Sequence, residues 1–204
     1  MIELTIKPQD IDRINKLLVD LSPKKQGGVI HKGMLKASST VLGQLVANVS
    51  GDILHRRTGN LARSMGYRID RDGDGIPQST IGSGATLKTA RMVYANIHEV
   101  GGVITPKRAK WLTIPLAAAQ TPAGVARFSA REAKGMFDKT FFRTSQAGNL
   151  ILFGTKGDEV IPLFVLKKSV TIPARRYMSI TVEQTKERVV EDIVDKIREV
   201  KDKA

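Results

Sequence analysis

The sequence contains no cysteine, which excludes disulfide bonds and thiolate metal sites. A chain without cysteine is typical of a protein made in a reducing cytoplasm. Aromatic residues make up only 5% of the 204 residues, so a hydrophobic core must depend on Ile, Leu, Val and Met. No apolar run approaches the roughly 20 residues that a membrane-spanning helix needs, and the first residues lack the pattern of a signal peptide.

Positive charge is what the chain has in excess, with 33 Lys and Arg against 20 Asp and Glu and a formal net charge of +13. Such a surplus attracts nucleic acid, an anionic membrane surface or an acidic protein partner. Hydrophobic residues at 41% and charged residues at 26% are ordinary for a globular protein. We therefore expect a single domain over residues 1–204 with its own core.

Apolar residues at helical spacing predict four helices before residue 100. Asp10 is the expected N-cap of the first helix, and Ser22-Pro23 ends it because proline disfavours helical geometry in the preceding residue. The other three are expected at about 29–54, 58–65 and 88–99, with Gly101 and Gly102 near the C-cap of the last. Residues 2–6 alternate and predict a short strand.

Most strand patterns lie after residue 66. Residues 67–70 and 79–82 flank the turn signal Asp72-Gly73-Asp74-Gly75 and predict a hairpin. Further strands are expected at 111–114 and within 160–172. Residues 141–143 and 150–153 flank Gln146-Ala147-Gly148-Asn149 and predict a second hairpin. Residues 116–149 are expected to form a long loop or hairpin excursion.

The last helix has the clearest pattern of all. An apolar stripe with charged residues opposite consists of Val182, Val189, Val190, Ile193, Val194, Ile197 and Val200. It predicts an amphipathic helix from about Ser179 to Val200 that buries Val189, Ile193 and Ile197. The expected fold class is α+β, with a mixed or mainly antiparallel sheet packed against N-terminal helices and a long C-terminal helix.

Three segments imitate catalytic or metal-binding motifs without completing them. Residues 70–75 match the opening of a calcium loop, but the twelfth position is Ile81 where a bidentate Glu is needed. Leu87 precedes Lys88 where a phosphate loop requires Gly, and Gly102 stands where a zinc-protease helix requires its second His. We therefore expect no bound metal, no cofactor and no enzymatic activity.

Three phrases resemble one protein family, in the same order along the chain. They are Thr58-Gly59-Asn60-Leu61-Ala62-Arg63-Ser64, Tyr94-Ala95-Asn96-Ile97-His98-Glu99-Val100-Gly101-Gly102 and Pro173-Ala174-Arg175-Arg176-Tyr177-Met178. The family comprises the neck and tail-completion proteins of tailed bacteriophages, including minor tail components known as virion morphogenesis proteins. Its members tend to carry T-G-x-L-x-x-S, then Y-A-x-x-x-E-x-G-G, then P-A-R-x-aromatic-apolar.

The resemblance implies a structural virion protein, made in the host bacterial cytoplasm, that forms a hexameric ring at the head-to-tail joint. It leaves open a neck role and a tail-completion or tail-terminator role. The implied partners are other copies, head-closure or connector proteins, tail tube proteins and packaged DNA in the lumen, with no membrane. The implied structural or interface residues are Thr58, Gly59, Asn60, Leu61, Tyr94, Glu99, Gly101, Gly102, Pro173, Arg175 and Tyr177.

Compact basic groups supply candidate contacts with DNA or with an acidic partner, although a solvated surface would have the same composition. These candidates are Arg56, Arg57, Lys107, Arg108, Lys110 and Arg176. The alternative function is a non-specific basic nucleic-acid-binding protein, which explains the charge without a ring. A hydrolase whose residues have no recognisable spacing is a third alternative.

Overall fold

The computed structural model describes residues 8–25, 27–84 and 94–201. The strand predicted at 2–6 and most of the helix predicted at 88–99 therefore lie outside the described residues. Contacts divide the chain into two compact units. The sheet unit comprises Arg56–Gly59 and Asn96–Arg175, and the helical unit takes its described residues from 1–55, 60–95 and 176–204. That the chain forms a single domain stays a prediction. A single unfolding transition in calorimetry would support it.

Among its described residues, the helical unit contains four α-helices and a two-stranded hairpin. A further helix begins at Ala95, the last residue of this unit before the sheet unit. Their bounds are α1 Pro8–Leu21, α2 Val29–Ala47, α3 Asn60–Ser64, β1 Met65–Arg71, β2 Pro77–Ser83, α4 Ala95–Val100 and α6 Tyr177–Lys201. The predicted cap at Asp10 is wrong because α1 already begins at Pro8, where a missing N–H costs nothing in the first turn. The second helix ends at Ala47, and Asn48–Asp52 form a wide π-type turn that contains a non-helical Gly51.

The long helix α6 packs on α2 through Ile193 of the predicted stripe and through polar residues that the stripe did not predict. Its buried residues include Tyr177, Thr181, Thr185 and Asp192. Val182 and Val190 belong to the predicted stripe, yet they are 58% and 61% exposed. Val189, Ile193 and Ile197, which were predicted to be buried, are half-buried. The fully buried residues toward α2 are largely polar.

Close approach of the two helices explains why this face is polar. A Cβ placed on Gly33 of α2 would lie 3.1 Å from the Cα of Ile193 on α6, and Ala37 one turn further is buried. Backbones this close leave no room for large side chains between them. Short hydroxyl and amide side chains fit, provided that each polar atom finds a partner.

Asn48 supplies these partners at one end of the α2–α6 contact. Its Nδ2 donates to Thr181 Oγ1 at 2.7 Å and to Gln184 Oε1 at 2.8 Å. The hydroxyls of Thr181 and Thr185 donate to the carbonyls one turn earlier in α6, at 2.7 and 2.8 Å. Together with Asp192, these residues form what we call the polar seam.

Asp192 carries the buried charge of the polar seam. Thr40 donates a hydrogen bond to its Oδ2, and its Oδ1 lies 2.9 Å from Lys36 Nζ and 3.5 Å from Arg188 Nε without an aligned hydrogen bond. Burial raises the pKa of Asp192, but the Thr40 hydrogen bond and the close positive charges of Lys36 and Arg188 outweigh it. The net pKa lies below the ordinary value.

An apolar cluster completes the helical unit beside the polar seam. Leu45 of α2 and Val49 of the π-type turn that follows it pack with Met65 and Tyr177. The β1–β2 hairpin lies against α2, where the hydroxyls of Ser38 and Ser79 are 2.7 Å apart.

The hairpin predicted around Asp72 is confirmed, with β1 and β2 antiparallel from Met65↔Ser83 to Arg71↔Pro77. Asp72 Oδ1 accepts the backbone N–H groups of Asp74 at 3.0 Å and Ile76 at 2.8 Å. This carboxylate therefore stabilises the turn itself.

The sheet unit contains a four-stranded antiparallel sheet and a two-stranded ribbon. The sheet has the order β4-β7-β6-β5, with bounds β4 Leu112–Pro115, β5 Lys139–Thr144, β6 Leu150–Lys156 and β7 Glu159–Lys167. The ribbon pairs β3 Gly102–Ile104 with β8 Val170–Ile172. These strands confirm the predicted β5–β6 hairpin and give two strands within 160–172. With the helices above, the α+β fold class is confirmed.

The excursion predicted for residues 116–149 has two parts. Its second part begins the β5–β6 hairpin, and its first part, which includes α5 Ala133–Met136, covers one face of the sheet. Ala119 and Ala133 are completely buried there, and Phe128 meets Phe164 of β7 edge to face at 5.9 Å. We call the covered side the inner face and the opposite side the outer face.

Asp192 generates the first testable prediction. Asp192→Asn should lower the free energy of unfolding at pH 7 by about 1.5–3 kcal/mol, the usual contribution of a hydrogen bond to a charged group. Because the folded pKa is depressed, the stabilisation is complete above the ordinary value of 3.8 and is lost as the pH falls through the folded pKa. Urea denaturation should therefore show the gap between wild type and variant narrowing between pH 5 and pH 2.

Asp195→Asn is the matched control, because Asp195 also faces Lys36, at 3.6 Å, but is 48% exposed. It should change stability by no more than about 0.5 kcal/mol. A gap for Asp192→Asn that stays constant down to pH 2 would contradict the assignment.

Candidate functional site

Two of the three family phrases meet in the sheet unit, at the start of the β3–β8 ribbon. Gly101 ends α4 with a φ of +72°, and its N–H donates to Ile97 O at 2.9 Å. A Cβ on Gly101 would lie only 2.7 Å from the backbone N of Ala174. The Arg175 N–H donates to His98 O at 2.8 Å. The Glu-Gly-Gly phrase and the Pro-Ala-Arg phrase therefore form one backbone contact, which we call the glycine junction.

His98 lies beside the glycine junction and is half-buried. Burial lowers its pKa, and the positive charge of Arg175 lowers it further, so the imidazole is neutral at pH 7. Among the described residues, no three His, Asp or Glu side chains come together in a way that could hold a metal ion. The hydrogen bonds described at the glycine junction join backbone groups.

Residues of all three phrases also enter the core of the helical unit. The Tyr177 hydroxyl donates to Ala95 O at 3.2 Å, and its ring packs in the apolar cluster with Leu61 at its edge. Ser64, the last residue of the first phrase, donates to Leu61 O at 2.7 Å. The first and third phrases are far apart in sequence, but Leu61, Tyr177 and Met178 pack in one cluster.

The other phrase residues differ in exposure. Gly59 is buried and has a φ of +73°, and Glu99 is half-buried. The exposed members are Thr58, Asn60, Tyr94, Gly102, Pro173 and Arg175. These exposed residues lie beside packed members of the same phrases, and they are accessible to another molecule.

Positive charge is concentrated in the sheet unit. Its 84 residues hold 14 Lys and Arg against five Asp and Glu, a net +9, while the other 120 residues carry the remaining +4. Thirteen of the 14 cations are exposed, and none of the 14 forms an ion pair with a described residue. By contrast, the described ion pairs lie in the helical unit. The sheet unit therefore has an uncompensated positive field.

The candidate contacts predicted from sequence fall in both units. Arg56, Arg57, Lys107, Arg108 and Lys110 belong to the sheet unit, and Arg176 belongs to the helical unit. Arg57 Nη1 donates to Gly124 O at 3.3 Å, and the three basic residues between 107 and 110 are exposed on the loop between β3 and β4.

Arg176 has a φ of +52°, which makes it the one left-handed residue other than glycine in the described chain. Its carbonyl accepts the N–H of Ile180 at 2.9 Å and so starts α6. A bulky residue in this conformation is strained by about 1–2 kcal/mol.

Several cations of the sheet unit were missed because they are scattered in sequence. Lys168 lies 5.8 Å from the ring centroid of Trp111, a cation–π distance. Lys139 and Arg143 stand on β5, and Lys167 ends β7. The net charge of residues 96–175 taken together would have indicated this basic region. A search for adjacent basic residues does not find it.

Comparisons of this chain with protein-family models, with curated proteins and with solved structures found no match. Within the described ranges, the structure has no helix that combines the length and the apolar character needed to span a bilayer.

The glycine junction generates the second prediction. Gly101→Ala should destabilise the protein by about 1–3 kcal/mol from backbone strain, and the 2.7 Å approach to Ala174 adds to this cost. The melting temperature should fall by roughly 2–4 °C for each kcal/mol.

Gly135→Ala is the matched control, because its added Cβ meets no atom within 4 Å and its φ is not left-handed. It should melt within about 1–2 °C of the wild type. Equal melting temperatures for the two variants would show that the glycine junction is not a tight contact.

Proposed function

We propose that this protein is a structural component of the head-to-tail joint of a tailed bacteriophage, where copies of it assemble into a ring. Its role is that of a neck protein or of a tail-completion or tail-terminator protein, without enzymatic activity. The three ordered phrases support the proposal, because Leu61, Gly101 and Tyr177 pack in the structure while Thr58, Asn60 and Arg175 are exposed. Such a distribution fits a protein that works through contacts between subunits.

The observation that carries the proposal is the uncompensated charge of the sheet unit. A net +9 on 84 residues, with no described ion pair, repels other surfaces of the same kind and attracts anionic ones. A ring through which DNA passes, or that stops near DNA, offers such a partner in the phosphate backbone. An acidic neighbouring subunit in the virion offers another.

The same observation favours a second candidate function, non-specific binding of nucleic acid by a protein that forms no ring. Attraction to phosphate needs no base contacts, so the charge alone supports it. The two candidates differ in assembly. Light scattering and negative-stain images of the purified protein should show rings or stacked rings for the virion protein. A monomer that binds duplex DNA with a steep salt dependence would favour the second candidate and contradict the first.

The loop between β3 and β4 generates the third prediction. Reversing Lys107, Arg108 and Lys110 to Glu should leave the melting temperature unchanged, because all three side chains are exposed. If each side chain neutralises one phosphate, the slope of log K against log salt for duplex DNA should become shallower by about 0.9 per residue, or about 2.7 in total. Complementation of a phage lacking the wild-type copy should give fewer particles with retained DNA.

A control with the same change in net charge separates location from total charge. Lys16, Lys24 and Lys32 are exposed in the helical unit, so their reversal to Glu removes six charge units elsewhere. It should change the salt slope by less than about 0.9, the effect of a single phosphate. Equal slopes for both triple variants would mean that the field of the whole protein, and not this loop, attracts the DNA.

A further inference from the structure

The outer face of the four-stranded sheet is apolar although no part of the sheet unit's core covers it. Strand register places apolar side chains there in rows across the strands: Ile114, Val165 and Ile151 in one, Phe153 and Phe141 in the next, and Val160 beyond. Ile114 and Phe141 are each 37% exposed, and Val160 is 54% exposed. The rings of Phe141 and Phe153 stack at 5.5 Å.

The side of a sheet that faces solvent ordinarily carries polar residues, because only the opposite side of the sheet packs on a core. Here the inner face already packs on Ala119, Ala133 and Phe128. The apolar outer face therefore resembles an interface more than a solvated surface.

The charged residues on the outer face have one sign. Lys139 and Arg143 of β5 and Lys167 of β7 share this face by register, and no Asp or Glu of the four strands points to it. Lys139 and Arg143 are exposed and lie four residues apart, which is about 13 Å along a strand. An occupant of the face must therefore be apolar with acidic groups at a matching spacing.

The solvent side of α6 has these properties. Glu183, Glu187 and Glu191 are exposed one turn apart, so the first and last stand about 12 Å apart along the helix. Ile180 and Val190 lie on the same side and are 36% and 61% exposed. The ion pairs of Glu183 with Lys186 at 2.9 Å and of Glu191 with Arg188 at 3.7 Å are exposed pairs that contribute little.

We propose that the acidic side of α6 in one copy docks on the outer sheet face of the next copy. The inference rests on the proposed ring and names the surfaces that build it. Two different surfaces meet, so the contact is heterologous and repeats from copy to copy into a closed ring or a filament. A contact between two outer faces would instead place Lys139 and Arg143 against their own copies.

Paired charge reversals test this contact. Lys139→Glu with Arg143→Glu, and separately Glu183→Lys with Glu191→Lys, should each raise the concentration needed for assembly roughly tenfold or more. The quadruple variant, which exchanges the charges, should assemble at a concentration close to that of the wild type. An equimolar mixture of the two double variants should co-assemble at a concentration where neither assembles alone, because every contact between unlike copies pairs opposite charges.

Arg131→Glu with Lys134→Glu is the matched control, since both side chains are exposed in the sheet unit but precede or lie in α5, away from the outer face. It should assemble normally. Melting temperatures and circular dichroism check that each variant folds. Should a reversal misfold, Gln variants at the same positions remove the charges without introducing repulsion. Each Gln double variant should raise the concentration needed for assembly, and combining the two should raise it little further.

The outcomes separate this inference from the proposed function. Wild-type rings that persist in both double variants would overturn the α6–sheet contact and leave the ring protein standing. Failure of both the quadruple variant and the mixture would also overturn the contact. Wild-type protein that stays monomeric at every concentration would overturn both proposals. Loss of DNA binding with unchanged assembly in the Lys139, Arg143 variant would assign the face to nucleic acid instead.

Discussion

The helical unit depends on the close approach of α2 and α6. Gly33 lets the two backbones nearly touch, and this proximity selects short polar side chains for the space between them. Once Thr181, Thr185 and Asp192 are buried, each needs a partner, and Asn48, Thr40 and Lys36 are among the residues that supply them. The polar seam therefore follows from the spacing of the helices, and the apolar valines of α6 remain available elsewhere on its surface.

Charge is distributed differently in the two units, and the difference bears on function. In the helical unit acidic and basic side chains pair along α6, so its field is largely cancelled. In the sheet unit the cations have no acidic partner among the described residues. A protein that neutralises one part and leaves another strongly positive can attract an anionic partner to one part of its surface. Under the proposed function, that partner is DNA or an acidic surface at the virion joint.

The glycine junction links the resemblance to a physical cause. Gly101 adopts a left-handed conformation beneath Ala174, where any Cβ would collide with the backbone. A Gly-Gly pair at the end of a helix and a Pro-Ala-Arg segment far along the chain are therefore two halves of one contact. These two phrases therefore join the end of α4 to the β3–β8 ribbon.

The sequence by itself determined the elements whose patterns are local. The turn around Asp72, the end of α1 at Ser22-Pro23, the β5–β6 hairpin and the existence of α6 depend on nearby residues, and all were predicted. The fold class followed from the order of these elements. The candidate site was predicted only in part, because adjacent basic pairs are visible in a sequence whereas Lys139, Arg143 and Lys167 share a face only through strand register.

Tertiary structure decided which side of each element is buried. The apolar stripe of α6 did not reveal that Thr181 and Asp192 face α2, because burial there depends on the distance between two helices that are more than a hundred residues apart in the chain. Likewise, Ile151 and Leu152 are equally apolar in sequence, yet one lies on the outer face and the other in the core. Composition and periodicity determine what an element can be, whereas the partner that packs against it determines which surface remains for function.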